Sequence, residues 1–154
     1  MLMTAAEYRE SLRRYQPRVF INGRQVDSVV DEPLLAPGIA AVGVTYDFAC
    51  NPRHAALLTA TQGTTGKQVN RMLHINESAT DLLHKLEAVR LVCAESGCAQ
   101  RYLSQDGLNA LFQSTQLTDA NHGTDYHPRF LDYLHDVQAR DLTLGVAMTD
   151  AKGD

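Results

Sequence analysis

SATDLLHKLEAVRLVCAESGCAQRYLSQDGLNALFQSTQL, residues 78–117, is the stretch that decides the fold. Ser78 stands three residues before Asp81, the pattern of a helix N-cap with an acid in the first turn. Leu82, Leu83, Leu86, Val89 and Cys93 recur at three- and four-residue spacing. That period predicts a helix with those side chains as its buried stripe. Ser96-Gly97 breaks the pattern, and a second helix is predicted to run on to about Thr115, burying Leu108, Leu111 and Phe112. The break carries Cys98 and, just after it, Arg101 beside Tyr102. Two long helices in forty residues predict a mainly α fold.

Upstream, Thr4 with Glu7 forms a capping box for a helix Ala5–Arg14 that Pro17 ends. Arg18–Val26 has two β-rich arms around Asn22-Gly23, the pair suited to positive φ at both turn positions, which predicts a hairpin. Ile39–Cys50 is apolar with small residues at helical spacing and reads as a buried helix. Asn51-Pro52 opens a short helix through Leu58. Thr59–Gly66 reads as a loop. Downstream, Asn121–Thr124 is a loop, and a last helix Tyr126–Arg140 presents Phe130, Leu131, Leu134 and Val137. Leu142–Met148 then alternates like a strand, followed by Ala151-Lys152-Gly153-Asp154. A strand needs a partner, and a fresh strand here reads about equally as the start of a further domain or as a frayed C-terminal tail. The first of these gives a helical domain over 1–141 and, over 142–154, the first strand of a β domain that follows.

With 154 residues the chain is one domain's length, and 44% hydrophobic with 21% charged residues is a globular composition. The net charge of −4 comes from mixed acids and bases, and no basic stripe points to nucleic acid. No apolar run has the length of a membrane helix, and Met1–Arg14 is not a secretory signal. Three cysteines are too few and too odd for a disulfide framework, which argues for a reducing, cytoplasmic setting.

Most motif candidates give way to plain structural readings. Cys93 and Cys98 are five apart, about 140° around a continuous helix, so they point to different faces. C-x4-C alone is a weak metal signal, and Cys50 and Cys93 read as small buried hydrophobes. Gly63-Thr64-Thr65-Gly66-Lys67 lacks the spacing of a phosphate loop, although Lys67 and Arg71 remain cations able to meet a phosphate. No histidine sits in a zinc or triad motif, and His127 and His135 read as solvent-facing. Arg101, at a helix start, is a candidate clamp for a carboxylate or phosphate, weighed against a surface ion pair.

Several stretches together carry a resemblance. They are Met1–Ala5 with Tyr8 and Ser11-Leu12, Arg18-Val19 with Gly23, Val44-Thr45-Tyr46, Gly66-Lys67 with Asn70-Arg71, Gly123–His127, and Ala147–Asp154. In order and spacing the chain resembles the N-terminal part of the flavoprotein family that unites 4-hydroxyphenylacetate 3-hydroxylase with 4-hydroxybutyryl-CoA dehydratase (vinylacetyl-CoA isomerase), and is nearer the dehydratase branch. The resemblance implies an acyl-CoA dehydrogenase-like architecture: a helical N-terminal bundle, then a β domain and a second helical domain, assembled as an FAD-binding homotetramer acting on a CoA ester or small phenol.

Site residues follow from the same resemblance. In the dehydratase branch two cysteines four apart help hold a [4Fe–4S] cluster. Cys98 matches the first and stands as a remnant of that site. The second falls on Tyr102, and a phenol is a poor iron ligand beside thiolate, so the resemblance argues against an intact cluster. In the hydroxylase branch an arginine on this helix contacts substrate, and Arg101 matches it. Ala147, Met148, Thr149 and Asp150 resemble the strand that runs along the flavin, where backbone groups and a Thr hydroxyl bond the isoalloxazine edge. The competing expectation is a stand-alone helical interaction domain without cofactor.

Overall fold

The computed structural model describes residues 1–98 and 100–146. The chain runs α1 (Ala5–Tyr15), β1 (Val19–Ile21), β2 (Arg24–Val26), α2 (Ala36–Cys50), α3 (Ala55–Leu58), β3 (Thr59–Gln62), β4 (Lys67–Asn70), a 3-10 turn (Arg71–Leu73), α4 (Ala79–Ser96), α5 (Tyr102–His122) and α6 (Tyr126–Ala139). It is a helical bundle with two small antiparallel hairpins.

Local chemistry accounts for most boundaries. Thr4 Oγ1 accepts from Glu7 N at 3.2 Å while Glu7 Oε2 accepts from Thr4 N at 2.7 Å, the expected capping box. Asn22 and Gly23 take φ of 50° and 78°, so the β1–β2 turn has the positive φ pair that the sequence asks for. Ser78 Oγ accepts from Asp81 N at 3.1 Å to open α4, and Gly97 closes it at φ 75°. Asp119, inside α5, accepts from Tyr126 N and His127 N at 2.9 and 2.7 Å. It thus caps α6 across the turn and fixes the α5–α6 hairpin.

Three apolar clusters form the interior. Leu73, Ile75, Leu108, Phe130, Leu134 and Val137 join α5 to α6. Ala49, Leu58, Met72, Ala88 and Val92 join α2, α3 and α4. Tyr8, Ile39 and Tyr46 join α1 to α2, where a Cβ on Gly43 would come within 3.1 Å of Ala5 Cβ. That approach is what the small residues of α2 allow.

The structure corrects several expectations. Thr59–Gly66 is not a loop: with Lys67–Asn70 it makes the second hairpin, paired from Thr59↔Asn70 to Gln62↔Lys67. Three of the eight strand residues, Thr59, Gln62 and Asn70, are buried and polar, which is why these strands show no apolar alternation. The α4 stripe is reversed. Leu82, Leu83 and Leu86 are 47%, 60% and 51% exposed, and the buried face is Lys85, Ala88 and Val92. Lys85 reaches Asp106 of α5, so a polar contact holds the inner face where leucines were expected. Leu111 is exposed too, while Leu108 is buried as expected. Cys50 is exposed and Cys93 half-buried, not core residues. α5 extends through His122, beyond the expected end. Leu142–Val146 form no regular strand, and the remainder of the expected C-terminal strand lies outside the described residues. No helix among the described residues is long and apolar enough to cross a membrane.

Candidate functional site

The polar centre of the molecule forms where the start of α5 meets the end of α6. Arg101 caps α5 with its backbone at φ 67°, and Asp141 follows α6 at φ 48°. Both are left-handed conformations that cost a non-glycine residue about 1–2 kcal/mol. Arg101 Nη2 donates to Asp141 Oδ1 at 3.1 Å, and both side chains are only 1% exposed. The surface ion pair expected for Arg101 is therefore a fully buried one. A buried pair persists when further hydrogen bonds satisfy it. Arg101 Nη1 donates to Thr45 Oγ1 at 3.2 Å, Nη2 also donates to Leu142 O at 3.1 Å, and the guanidinium lies 4.4 Å from the Tyr46 ring centroid. Asp141 Oδ2 accepts from Met3 N at 3.1 Å.

Tyr46 seals this cluster. Its hydroxyl donates to Asp141 O at 2.8 Å and lies 2.8 Å from Thr143 Oγ1. Burial pushes its phenol up to about 12, against the opposing pull of Arg101. Tyr8 stacks on Tyr46 with ring centroids 4.9 Å apart, and burial raises its phenol as well. Neither hydroxyl is a base at neutral pH. Outside the pair, Met3, Tyr8, Leu12, Tyr46, Leu142 and Thr143 line a cleft of about 290 Å³.

At the α4–α5 break, Cys98 Sγ accepts from Gln100 Nε2 at 2.9 Å, and Ser96 Oγ donates to Cys98 O at 2.8 Å. Tyr102 opens α5 four residues after Cys98. Among the described residues no three His, Cys, Asp or Glu side chains are grouped to hold a metal ion. Among the described residues Cys98 is a single thiol with an amide neighbour. The segment expected to touch a flavin, Ala147, Met148, Thr149 and Asp150, lies outside the described residues.

A second buried polar group sits under the 3-10 turn. Arg71 donates from Nε to Leu57 O at 2.5 Å and from Nη2 to Thr59 O at 2.7 Å. It is spent on backbone carbonyls, whereas Lys67 is exposed on β4, so the two cations do not form a joint anion site. His74 is buried, with Nε2 3.5 Å from Asp81 Oδ1, and burial lowers its pKa. Gln138 Nε2 bridges Gln62 Oε1 and Leu73 O, both at 2.8 Å. His127 and His135 do not simply face solvent. They lie 3.0 Å from Thr115 Oγ1 and 3.2 Å from Thr64 Oγ1.

Sequence reasoning missed Asp141, Ser104 and the glutamines. Tyr46 and Thr45 stood within a stretch that carried the resemblance. Nothing local marks Asp141, because its partners lie 40 and 138 residues away.

Residues 4–154 match the family described as 4-hydroxyphenylacetate 3-hydroxylase N terminal. The chain belongs to this family. Within it, the chain is 40% identical to the 4-hydroxybutyryl-CoA dehydratase/vinylacetyl-CoA-Δ-isomerase of Clostridium aminobutyricum over its whole length. It is 24% identical, over 97% of its length, to the 4-hydroxyphenylacetate 3-monooxygenase oxygenase component of Thermus thermophilus. It spans 32% and 30% of these relatives' lengths. An oxygen-tolerant archaeal 4-hydroxybutyryl-CoA dehydratase from N. maritimus superposes with a TM-score of 0.94 at 42% identity, over all of this chain and 31% of that one. The oxygenase component of 4-hydroxyphenylacetate 3-monooxygenase, solved with FAD and 4-hydroxyphenylacetate, gives 0.70 at 22% identity over 92% of this chain and 29% of that one, a likeness of fold alone. Members of this family thus share the helical bundle, and the higher identity lies on the dehydratase side.

Proposed function

We propose that this chain is the N-terminal helical domain of an FAD-dependent enzyme of the 4-hydroxybutyryl-CoA dehydratase/vinylacetyl-CoA isomerase type, acting on a CoA ester. One observation carries the reading: 40% identity to the Clostridium aminobutyricum dehydratase along the entire chain. In this reading residues 1–141 are the helical domain and residues 142–154 begin a β domain. The assembly is a cytoplasmic homotetramer. FAD, when bound, supplies one- and two-electron redox chemistry. The residues of this chain hold the helical wall in place and deliver Ala147–Asp150 toward the flavin edge. Arg101 is committed to Asp141, Thr45 and Leu142, so its part is to shape that wall rather than to reach a substrate. A stand-alone interaction domain explains neither the identity nor the buried polar centre.

Tyr102 supports a second reading, an aromatic monooxygenase of the 4-hydroxyphenylacetate type. On the resemblance, Tyr102 stands where the dehydratase branch has a cluster thiolate, and aromatic hydroxylation needs no iron–sulfur cluster. The two separate in one experiment. The full-length polypeptide is purified and scanned for flavin and for iron–sulfur absorbance. It is then assayed with 4-hydroxybutyryl-CoA and, with reduced flavin and oxygen, with 4-hydroxyphenylacetate. Conversion of the CoA ester supports the first reading, and conversion of the phenol alone supports the second. A purified full-length protein with no flavin band overturns both.

A further inference from the structure

We infer that Asp141, acting through Arg101, and Ser104 are positioning residues that set the path of the chain out of the helical bundle. Besides those to the Asp141 carboxylate, five bonds hold Asp141–Leu144, just after α6. Leu142 N donates to Val137 O at 3.1 Å, which turns the chain back on its own helix. Arg101 Nη2 donates to Leu142 O at 3.1 Å. Ser104 Oγ, one turn further along α5, donates to Leu144 O at 2.8 Å. Tyr46 holds Asp141 O and Thr143 Oγ1 from the opposite side. The carbonyls at 142 and 144 are therefore gripped by residues 101 and 104 of one helix face. This is side-chain pairing along a segment that, among the described residues, pairs with no strand.

The two residues at the root of the grip, Arg101 and Asp141, both hold left-handed backbone. Such conformations persist when surrounding contacts over-determine them. Here the surrounding contacts come from five places in the sequence: Met3, Thr45-Tyr46, Arg101, Ser104 and Asp141. The N-terminus belongs to the same device, because the Met1 ammonium donates to Ala139 O at 2.9 Å, two residues before Asp141. Removing the carboxylate frees Met3 N and Arg101 together, and with Arg101 the Leu142 carbonyl. The consequence for function rests on the proposed flavin reading: the last of these bonds holds Leu144 O, three residues before the proposed flavin-contact segment at Ala147.

Two substitutions test the device. Asp141→Asn keeps a residue that tolerates left-handed backbone but removes the charge. Ser104→Ala removes the bond to Leu144 with no change in charge or backbone. In the 154-residue chain, backbone ¹⁵N relaxation is measured residue by residue. In both variants order parameters at Thr143–Val146 are expected to fall from the rigid range near about 0.85 to below about 0.6. Those in α2 and α6 are expected to hold. Unchanged values at Thr143–Val146 in Ser104→Ala overturn the inference, as does a uniform fall throughout the molecule. If Asp141→Asn fails to fold, Ser104→Ala alone decides. In the full-length protein loaded with FAD, Ser104→Ala is expected to weaken flavin retention about threefold or more and to shift the flavin band, with reversal in Ser104→Thr. A full-length protein that never binds flavin defeats the functional reading but leaves the relaxation result standing, so the two failures are distinguishable.

Discussion

Arg101 shows how little a residue's identity says before its neighbours are known. On the surface an arginine–carboxylate pair is worth about 0–1 kcal/mol, but breaking a buried one leaves an uncompensated charge and costs about 3–5 kcal/mol. Arg101→Met is therefore expected to lower the unfolding free energy by about 3–5 kcal/mol in urea titrations, since its partner Asp141 is 1% exposed. A loss under about 1 kcal/mol would place the pair in solvent after all. His74 gives a second residue-scale prediction. Burial lowers its pKa from the ordinary 6.5, with Arg71 opposing protonation and Asp81 favouring it. The unfolded chain then binds more protons than the folded one below that value, so stability falls as the solution is acidified through it. Asp81, held low by Ser78, Glu77 N–H and nearby cations against its own desolvation, contributes a separate loss only below its ordinary 3.8. His74→Gln is expected to flatten the dependence of the urea midpoint between about pH 7 and pH 5, leaving the more acidic loss in place. An unchanged slope would mean that His74 is not the titrating group.

At the scale of elements, end signals outperformed faces. The Thr4–Glu7 box, the Asn22-Gly23 turn, the Ser78 cap and the Gly97 stop were all legible, because each is a bond or a φ angle made within a few residues. Gly97→Ala is expected to cost about 1 kcal/mol in thermal unfolding, the penalty of a side chain at φ 75°. The facing of α4 was not legible. Periodicity reports that a helix has an apolar stripe, while which side turns inward depends on what packs there. Lys85 turned inward because Asp106 waits on α5. The consequence is testable by calorimetry or denaturant titration. Leu83→Ser should change stability by less than about 0.5 kcal/mol, as for exposed sites. Val92→Ala, fully buried, should cost at least about 1.5 kcal/mol for two methyl groups. The reverse order would restore the leucine stripe as the inner face. The second hairpin escaped notice for a related reason. Thr59–Gln62 and Lys67–Asn70 have no apolar alternation, since Gln62 and Asn70 are buried in hydrogen bonds rather than in oil.

For the whole molecule, membership of the family came from many short matches spread over the chain, a signal that no single motif carries. The proposed role of residues 147–150 as a flavin contact predicts that the 154-residue chain alone does not retain FAD, because most flavin contacts in the implied architecture come from later polypeptide. A near-stoichiometric flavin absorbance in the purified chain would overturn that expectation. The sequence by itself determined the helical class, most helix ends, the first hairpin and the family, since these rest on local bonds, backbone conformations and ordered short matches. Only the tertiary structure decided that Arg101 meets Asp141, that Tyr46 seals them and that α4 turns its leucines outward. Those outcomes depend on groups 21 to 138 residues apart being brought together, and no local pattern encodes which distant charge or hydroxyl will be there.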